Sequence, residues 1–429
     1  MPLVGKLLAE TALTLGITEE EAKRDALLAA QWTKTYVTVE HLAGVALFLC
    51  SDGAANLSGV SLPVDRGVDC CMNVKPKYGA GRRTAKHKGV NLALQGGGAH
   101  GAFTWGVLDR LFEDDRVWID AISGTSAGAM NAVVAAHGMH ENGAEGARQR
   151  LEEFWKKVSE TARLSPMQRT PWARATGDWS LDHSPGYQMM AIMQRVASPY
   201  DVNPFRVDPL RDIVDNLVDF ERVRCCEDMG VFISATNVET GRVKVFPRDQ
   251  ITLDVTMASA CLPYLYQAVE IDGVPYWDGG YMGNPPLFPF FHSSPSNDIV
   301  IVQINPVLRE GTPRGAAEIQ NRINEITFNS SMLHELRAID FVRRLIDAGH
   351  LDGETYRRMN VHIIHSRKRM RHLDASSKLN AEWAFLTHLF EIGRDTAGRW
   401  LEDHFEDLGQ RSSVDIRQMF DGLAVLPDL

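Results

Sequence analysis

The stretch VNLALQGGGAHGAFTWGVLDRL, residues 90–111, decides the fold. A short apolar run, typical of a buried strand, leads into a cluster of glycines and then into an amphipathic helical segment. The stretch DAISGTSAGAMNAVVAAHG, residues 120–138, repeats this order of strand, tight turn and helix. Strand–turn–helix units in series are typical of a mostly parallel sheet covered by helices. We therefore expect an α/β fold of three layers, with helices on both faces of a mostly parallel central sheet.

The rest of the chain adds strands, a hairpin and a helical end. GVFISATNV and DIVIVQINP, residues 230–238 and 298–306, are candidates for buried strands. QAVEI and VPYW flank Asp272-Gly273, a dipeptide that accepts the positive φ angles of a tight turn. After about residue 311 apolar residues recur at three- and four-residue spacing, which predicts a helical C-terminal region over residues 311–429.

Composition excludes several classes of protein. The chain has 429 residues, of which 44% are hydrophobic and 23% charged, and this is ordinary for a globular protein of two or three domains. The net charge of −10 argues against general nucleic-acid binding, because phosphate binding requires clustered positive charge. Six cysteines are too few for a disulfide scaffold in a chain of this length and indicate reduced thiols in a cytosol.

The sequence also bears on membranes. No stretch approaches the roughly 18 consecutive apolar residues of a membrane span, and Glu10 interrupts the first apolar stretch too early for a secretory signal. We therefore expect a cytoplasmic protein whose membrane contact would be peripheral, at the inner membrane surface. Two basic clusters, residues 74–89 and 366–372, are predicted to be solvated segments; contact with anionic lipid head groups is the alternative.

Gly124-Thr125-Ser126-Ala127-Gly128 is a G-x-S-x-G motif between a predicted strand and a predicted helix. A nucleophilic serine must project from a sharp turn, where glycines two residues before and two after relieve crowding. The helix that follows directs the positive end of its dipole at the reacting centre. We predict that Ser126 is a nucleophile and that Gly124 and Gly128 shape its turn. A tight turn with a capping serine is the alternative.

The glycine cluster Gly96-Gly97-Gly98-Ala99-His100-Gly101 has two interpretations. Its backbone N–H groups could stabilise the oxyanion that forms when an ester is attacked. The same residues fit G-x-G-x-x-G, the pattern of dinucleotide-binding loops, which requires an acidic residue about 20 positions later at the end of the second strand. Asp120 is near that distance, but it opens its predicted strand rather than ending it. We therefore favour an oxyanion loop.

A serine nucleophile requires a base. Asp278 follows the predicted strand VPYW and precedes two glycines, so its carboxylate could emerge at an open strand end. The alternative is a triad with the chain order Ser, acid, His. None of the downstream histidines lies in a recognisable strand-end loop motif. They are His292, His334, His350, His362 and His365.

Three blocks, LQGGGAHGAFTWGVLDRL, GTSAGAMNA and ASACLPYLYQAVEIDGVPYWDGG, occur in this order and resemble the bacterial patatin-like phospholipases over about residues 90–310. SATNVETGRVKVF, residues 234–246, resembles the family's strand before the catalytic aspartate. The resemblance implies a Ser-Asp dyad without histidine, with Ser126 as the nucleophile and Asp278 as its base. It also implies that the N–H groups of Gly96, Gly97 and Gly98 hold the oxyanion.

One position departs from the family pattern. The loop in the family often carries Arg or Lys after the glycines, whereas this chain has His100. A neutral histidine would give the oxyanion less positive charge, which bears on the rate more than on the type of reaction.

The N-terminal segment resembles a different family. MPLV and, further on, VTVEHLAGVALFLCSDGAANLSGVSLPVDRG resemble the C-terminal tail of short-chain dehydrogenases of the 3-hydroxybutyrate dehydrogenase type, over about residues 1–71. The cofactor-binding loop and catalytic pair of that family would lie upstream of this tail. The segment alone is therefore not expected to bind NAD or transfer hydride.

Together these observations predict a serine hydrolase that cleaves carboxylic esters of lipids through an acyl-enzyme, without a metal or other cofactor. The alternatives are an esterase of 3-hydroxyalkanoate oligomers, an NAD-binding oxidoreductase and a lipid-binding protein without turnover. The expected partners are a lipid or acyl-ester substrate and a membrane surface, with a homo-oligomer left open. The expected domains are an appendage (1–73), a basic linker (74–89), a catalytic domain (90–310) and a helical region (311–429).

Overall fold

A computed structural model describes residues 87–353 and 355–421 of the chain. The predicted N-terminal appendage and nearly all of the basic linker lie outside the described residues. Within them, eight strands form one mixed sheet. The strands are β1 (Lys88–Leu94), β2 (Val117–Gly124), β3 (Gly230–Asn237), β4 (Val243–Pro247), β5 (Val269–Ile271), β6 (Val274–Asp278), β7 (Asp298–Val302) and β8 (Asn360–Ile364).

Helices join and cover these strands. They are α1 (Gly101–Glu113), α2 (Ala127–Ala162), α3 (Pro171–Thr176), α4 (Pro185–Val196), α5 (Pro199–Val202), α6 (Pro209–Leu217), α7 (Phe220–Cys225), α8 (Leu253–Ser259), α9 (Phe290–Ser293), α10 (Ala316–Asp347), α11 (Arg367–Met370), α12 (Trp383–His404) and α13 (Ile416–Asp421). The backbone of α2 leaves helical geometry at Asn142 and Gly143, where two helical segments meet at a kink.

The sheet is mostly parallel at its centre. Strands follow one another by hydrogen bonding in the order β5-β6-β3-β2-β1-β7-β8, and β4 also pairs with β3. The pairs β1–β2, β1–β7, β2–β3 and β7–β8 are parallel. The pairs made by β4, β5 and β6 are antiparallel. Parallel strands are usually connected by right-handed crossovers through helices. The strand–turn–helix order of the sequence predicted this parallel arrangement.

Two apolar layers flank the sheet. Leu92 and Leu94 of β1 face a core that includes Phe103 of α1, Val133 of α2 and Leu389 of α12. Residues that alternate with these along the strands point to the opposite face of the sheet. The core on that face includes Ala93 of β1, Ile301 of β7, Met332 and Leu336 of α10, and Met419 of α13. Alternation along a strand exposes its two sides to the two layers. The expected three-layer α/β/α arrangement is confirmed.

The strands predicted within the described residues are present, and two further strands, β4 and β8, were not predicted. The Asp272-Gly273 hairpin turn is confirmed, since these residues have φ angles of 52° and 78° between β5 and β6. The region after residue 311 is mainly helical, as expected, but it also contributes β8, which pairs in parallel with β7. Its sequence NVHII has five buried residues and no periodicity to distinguish it from a helical segment.

Candidate active site

The turn after β2 places Ser126 in a strained conformation. Its φ and ψ are 54° and −121°, in a region that residues with a side chain rarely occupy. A Cβ at Gly124 would lie 2.5 Å from the carbonyl oxygen of Gly128, and one at Gly128 would lie 2.2 Å from that of Leu94. Glycines are therefore required on both sides of the serine, as the motif predicted. This geometry is that of a nucleophile elbow.

The pairing of β3 explains how Asp278 approaches this turn. Gly124, the last residue of β2, pairs with Ile233, and Ser126 follows two residues later in the turn. Ala235, two residues beyond Ile233, pairs with Asp278 of β6. Because β4 pairs with the same part of β3, it occupies the opposite side, and β6 continues the line of β2. The end of β2 before Ser126 and the end of β6 at Asp278 thus lie beside neighbouring residues of β3.

Asp278 is fully buried, and its two carboxylate oxygens differ. Oδ1 accepts a hydrogen bond from the N–H of Gly280 at 2.7 Å. Oδ2 has no hydrogen-bond partner of ordinary geometry within the described residues. Burial raises the pKa of this carboxyl to about 6, while the Gly280 N–H, the Ser126 hydroxyl and the Lys378 ammonium act to lower it. The Ser126 hydroxyl thus acts on the carboxylate without the geometry of an ordinary hydrogen bond, and such contacts often tighten when substrate binds.

The glycine loop lies against the serine turn. A Cβ at Gly96 would be 2.7 Å from the Cβ of Ser126. The N–H of Gly96 is already engaged, since it donates to Oδ1 of Asn284 at 2.7 Å. The N–H groups of Gly97 and Gly98 donate no hydrogen bond within the part of the chain that is described. Two of the three predicted donors are therefore free, and the third fixes the loop to Asn284.

His100 is a buried, uncharged member of this loop. Its Nε2 lies 2.8 Å from Oγ of Ser377, and either atom can donate depending on the tautomer. Burial, and to a lesser degree the charge of Lys378, holds the pKa of His100 well below its usual range. The loop itself therefore carries no positive charge near neutral pH, which agrees with the expectation for a neutral His100.

Three site residues were not identified from the sequence. Asn284 accepts from the loop as described, and its Nδ2 donates to the carbonyl of Phe328 at 3.2 Å. Asn305 donates from Nδ2 to the carbonyl of Gly96 at 2.8 Å. Lys378 donates from Nζ to Oδ1 of Asn305 at 2.7 Å. The two asparagines come from loops and the lysine from a short 3₁₀ helix, none of them with a recognisable motif, and only the folded chain brings them to the glycine loop.

One alternative base and the alternative acidic residue for a dinucleotide loop lie away from the positions that those roles require. His362, one of the histidines considered for a triad, lies 3.0 Å from Asp298 on the neighbouring strand. Asp120 lies in the middle of β2, fully buried, rather than at a strand end where it could bind a ribose. Among the described residues, no group of three or more His, Cys, Asp or Glu is arranged to hold a metal ion.

A cavity of about 500 Å³ has Cys261 in its lining. Met257, Arg206 and Arg211 also line it. The carbonyl of Cys261 accepts the N–H of Asp278 at 2.8 Å. The lining of this cavity is therefore joined directly to the strand end that presents the carboxylate.

The surface carries an apolar stripe on α4. The large side chains Met189, Ile192, Met193 and Val196 are 59%, 57%, 41% and 79% exposed, and no residue of this helix is buried. Their spacing places them on one helical face. By contrast, two arginines of the predicted basic cluster 366–372 are paired, Arg367 with Glu310 and Arg369 with Asp395. No helix of the described residues has an apolar stretch long enough to cross a bilayer.

The fold and this arrangement define an α/β/α protein with a strained serine turn between a strand and a helix, and comparison with known proteins finds a family match for part of the chain. Residues 92–291 match the family model of patatin-like phospholipase. This part of the chain therefore matches a patatin-like phospholipase domain. The match confirms the resemblance inferred from the three sequence blocks.

Solved structures are similar only in part. VipD from Legionella pneumophila is 14% identical, with a TM-score of 0.29 over 87% of this chain and 85% of that chain. The ExoU–SpcU complex from the type III secretion system of Pseudomonas aeruginosa is 15% identical, with a TM-score of 0.31 over 75% of this chain and 52% of that chain.

A curated relative corresponds to a short stretch of the chain. D-beta-hydroxybutyrate dehydrogenase of Rhizobium meliloti (strain 1021) is 42% identical over 66 residues, which is 15% of this chain. The chain spans about a quarter of that relative's length, since the aligned stretch covers 26% of it. The predicted dehydrogenase resemblance is thus confirmed as short and partial, and it lies largely outside the structural description.

Proposed function

We propose that this enzyme cleaves carboxylic esters of lipids through a Ser126–Asp278 dyad and an acyl-enzyme. The observation that carries the proposal is a strained serine in the turn after β2 whose hydroxyl acts on the buried carboxyl of Asp278. Among the described residues, Oδ2 of that carboxyl has no hydrogen-bond partner of ordinary geometry. A buried carboxylate with a pKa of about 6 is ionised at neutral pH and is basic enough to accept a hydroxyl proton.

In the first half of the reaction, Asp278 takes the proton from Ser126 as Oγ attacks the acyl carbonyl carbon. The resulting oxyanion accepts hydrogen bonds from the free N–H groups of Gly97 and Gly98. The N–H of Ala127, the first residue of α2, is a further donor, because the first N–H groups of a helix have no intrahelical acceptor. The protonated Asp278 then gives its proton to the departing alkoxide, which leaves an acyl-enzyme.

In the second half, Asp278 accepts a proton from water as the water oxygen attacks the acyl carbon. The oxyanion forms again at the same N–H groups. Its collapse breaks the bond to Oγ, releases the fatty acid and returns the proton to Ser126. Each step uses one proton and one base, so the dyad performs the whole cycle without a histidine.

A lipid substrate requires that the enzyme reach a lipid surface. The apolar stripe of α4 supports peripheral contact with a bilayer, because exposed apolar side chains along one helical face are typical of interfacial helices. Asn203, just after α5 in the chain segment that follows α4, lines the cavity that Cys261 joins to the dyad. This continuity along the chain supports a role for the segment around α4 in bringing lipid towards the dyad.

A fluorophosphonate probe tests the nucleophile directly, since it reacts covalently with an activated serine. Wild-type protein should be labelled at Ser126, and Ser126→Ala should lose both labelling and hydrolysis of a p-nitrophenyl ester, a phospholipid and a 3-hydroxybutyrate oligomer. Ser330→Ala, which changes an exposed serine on α10, is the matched control and should keep both. Hydrolysis by Ser126→Ala at the wild-type rate would refute the proposed mechanism.

A further inference from the structure

Residues outside the matched family domain complete the site. The 3₁₀ helix Ser376–Leu379 packs against the glycine loop, and a Cβ at Gly98 would lie 2.4 Å from the carbonyl oxygen of Lys378. Ser377 lies 2.8 Å from His100 on the same loop. The Lys378 backbone is thus held directly on the predicted oxyanion donors.

The ammonium group of Lys378 points to the same place. Its hydrogen bond to Asn305 continues to the carbonyl of Gly96, so a single chain of polar contacts joins the ammonium to the loop. It also lies 5.8 Å from the centre of the Phe328 ring. That ring packs on Gly280, since a Cβ there would lie 2.2 Å from it, and Gly280 is the residue that donates to Asp278.

This ammonium has no carboxylate of its own. Within the described residues, no acidic oxygen lies within 4 Å of Nζ, and the one hydrogen bond it donates leaves two N–H groups unused. The nearest acidic groups that act on it are Glu325 and Asp278, and Arg309 opposes them. Glu325 is already paired with Arg309 and Arg322, at 2.5 and 3.0 Å. Asp278 is therefore the negative group in reach that lacks another cation.

We propose that Lys378 is the positive charge of this active site, a positioning residue that holds the glycine loop through Asn305 and keeps Asp278 ionised. A half-buried ammonium without a counter-ion is costly to the fold. Attraction to the carboxylate of Asp278 offsets part of this cost, and the ammonium also attracts the oxyanion that forms during the reaction. Because His100 is uncharged, Lys378 in the segment 376–379 supplies the positive charge that the glycine loop lacks. This inference rests on the proposed Ser126–Asp278 mechanism.

The proposal predicts a specific pH dependence. Burial lowers the pKa of Lys378 to about 8, while the charges of Glu325 and Asp278 act to raise it. The groups facing it from the surrounding elements are Glu325, Asp278, Arg309 and the uncharged His100. Activity should therefore fall above about pH 8 as the ammonium loses its proton. Loss of the cation should also raise the pKa of Asp278, because the ammonium acts to lower it.

The experiment compares kcat/KM against pH, on a neutral p-nitrophenyl ester, for wild type, Lys378→Arg, Lys378→Gln and Lys378→Met. Arg keeps the charge at all pH values of the assay, so this variant should stay active and lose the decline above pH 8. Gln can still donate to Asn305 but is neutral, so its acid limb should move to higher pH. The acid limb of Lys378→Met should also move to higher pH, and its kcat should fall about tenfold to a hundredfold with little change in KM. Lys156→Met, a change at an exposed lysine on α2, is the control and should match wild type.

The outcomes separate the two proposals. Wild-type acid and alkaline limbs in Lys378→Gln would overturn the role of Lys378, even if Ser126→Ala is inactive. A lower rate in Lys378→Gln without any shift of either limb would also overturn it, because a merely structural role lowers the rate at every pH alike. If Lys378→Met fails to fold, the pH profiles of Lys378→Arg and Lys378→Gln still test the role of Lys378. Normal hydrolysis by Ser126→Ala would instead refute the dyad.

Discussion

Residues 92–291 and residues 292–421 contribute strands to one sheet and side chains to one site, but only the first region carries recognisable motifs. In the first, Ser126 and the glycine loop depend on backbone geometry that a few adjacent residues impose. In the second, β8 and Lys378 take their places only through packing against distant parts of the chain. A sequence motif shows where neighbouring residues must adopt one backbone geometry. A site can depend equally on residues, such as Lys378, that belong to no motif.

The largest expected effect separates two Asp-Gly dipeptides of the same hairpin. Asp278→Asn keeps the side-chain size but cannot accept a proton, so kcat/KM should fall by about 10²- to 10⁴-fold, the range for loss of a general base. Asp272→Asn is the matched control, because Asp272 is exposed and Asn-Gly also suits its tight turn. Steady-state kinetics on a soluble ester measures both. Similar activities for the two variants would show that Asp278 is not the base.

Unfolding provides the control for that comparison. Burial raises the pKa of Asp278, so the protonated form is favoured in the folded state, and stability from this group is lost as the pH rises through about 6. Asp278→Asn removes the buried charge and should unfold no more easily than wild type at pH 8. A loss of activity in this variant would then reflect the missing base rather than a damaged fold.

The sequence predicted the part of the site that is local. The turn at Ser126 and the glycine loop follow from glycines at fixed spacing, and the β5–β6 hairpin follows from Asp272-Gly273. For the proposed dyad, the sequence offered Asp278 as a candidate base at a predicted strand end, and the family resemblance then paired it with Ser126. Their proximity depends on the pairing of both segments with β3. Pairing register is set by the whole sheet, and no short stretch encodes it.

The sequence missed what depends on long-range packing. Lys378 was not singled out, because an isolated lysine in a polar stretch gives no sign of burial. Asn284 and Asn305 likewise look like ordinary turn residues until their amides are seen on the glycine loop. The strand β8 was included in a helical region for a related reason: five apolar and polar residues without alternation fit a buried strand or a helix equally.

The second prediction tests whether the C-terminal region is integral to the sheet. Helix α12 packs closely on α1, and a Cβ at Gly393 would lie 2.1 Å from the carbonyl oxygen of Phe103. Gly393→Ala should therefore lower the free energy of unfolding by about 3 kcal/mol, because backbone must move to admit a methyl group. Urea unfolding of the full chain measures this loss.

A glycine in the same helix is the matched control. A Cβ at Gly398 would meet only Nε of Arg110, at 3.7 Å, which is ordinary contact. Gly398→Ala should raise the free energy of unfolding by about 0.5–1 kcal/mol, because alanine is the better helix former. Equal effects of the two substitutions would mean that α12 does not pack on the sheet domain as described.

The third prediction concerns pH. If Asp278 must be ionised, kcat/KM on a neutral ester should fall about tenfold per pH unit below about 6, so that activity at pH 5 is roughly a tenth of the plateau. The cause is protonation of the buried carboxylate, whose pKa burial has raised. An exposed aspartate would give an acid limb near pH 4 instead. A midpoint near 4 would show that the base is solvated or is a different group.

The smallest effect concerns α4, where the contrast between a buried site and an exposed surface is sharpest. Ile192→Glu places a charge in the middle of the apolar stripe, so binding to vesicles of mixed neutral and anionic phospholipid should fall several-fold. Hydrolysis of a soluble ester should stay unchanged, because Ile192 is exposed on α4 and has no part in the proposed dyad. Phe341→Glu, which alters an apolar side chain of similar exposure on α10, is the control and should bind vesicles as wild type does. Flotation measures binding; equal loss in both variants would mean that exposed apolar area in general, rather than the face of α4, contacts the lipid.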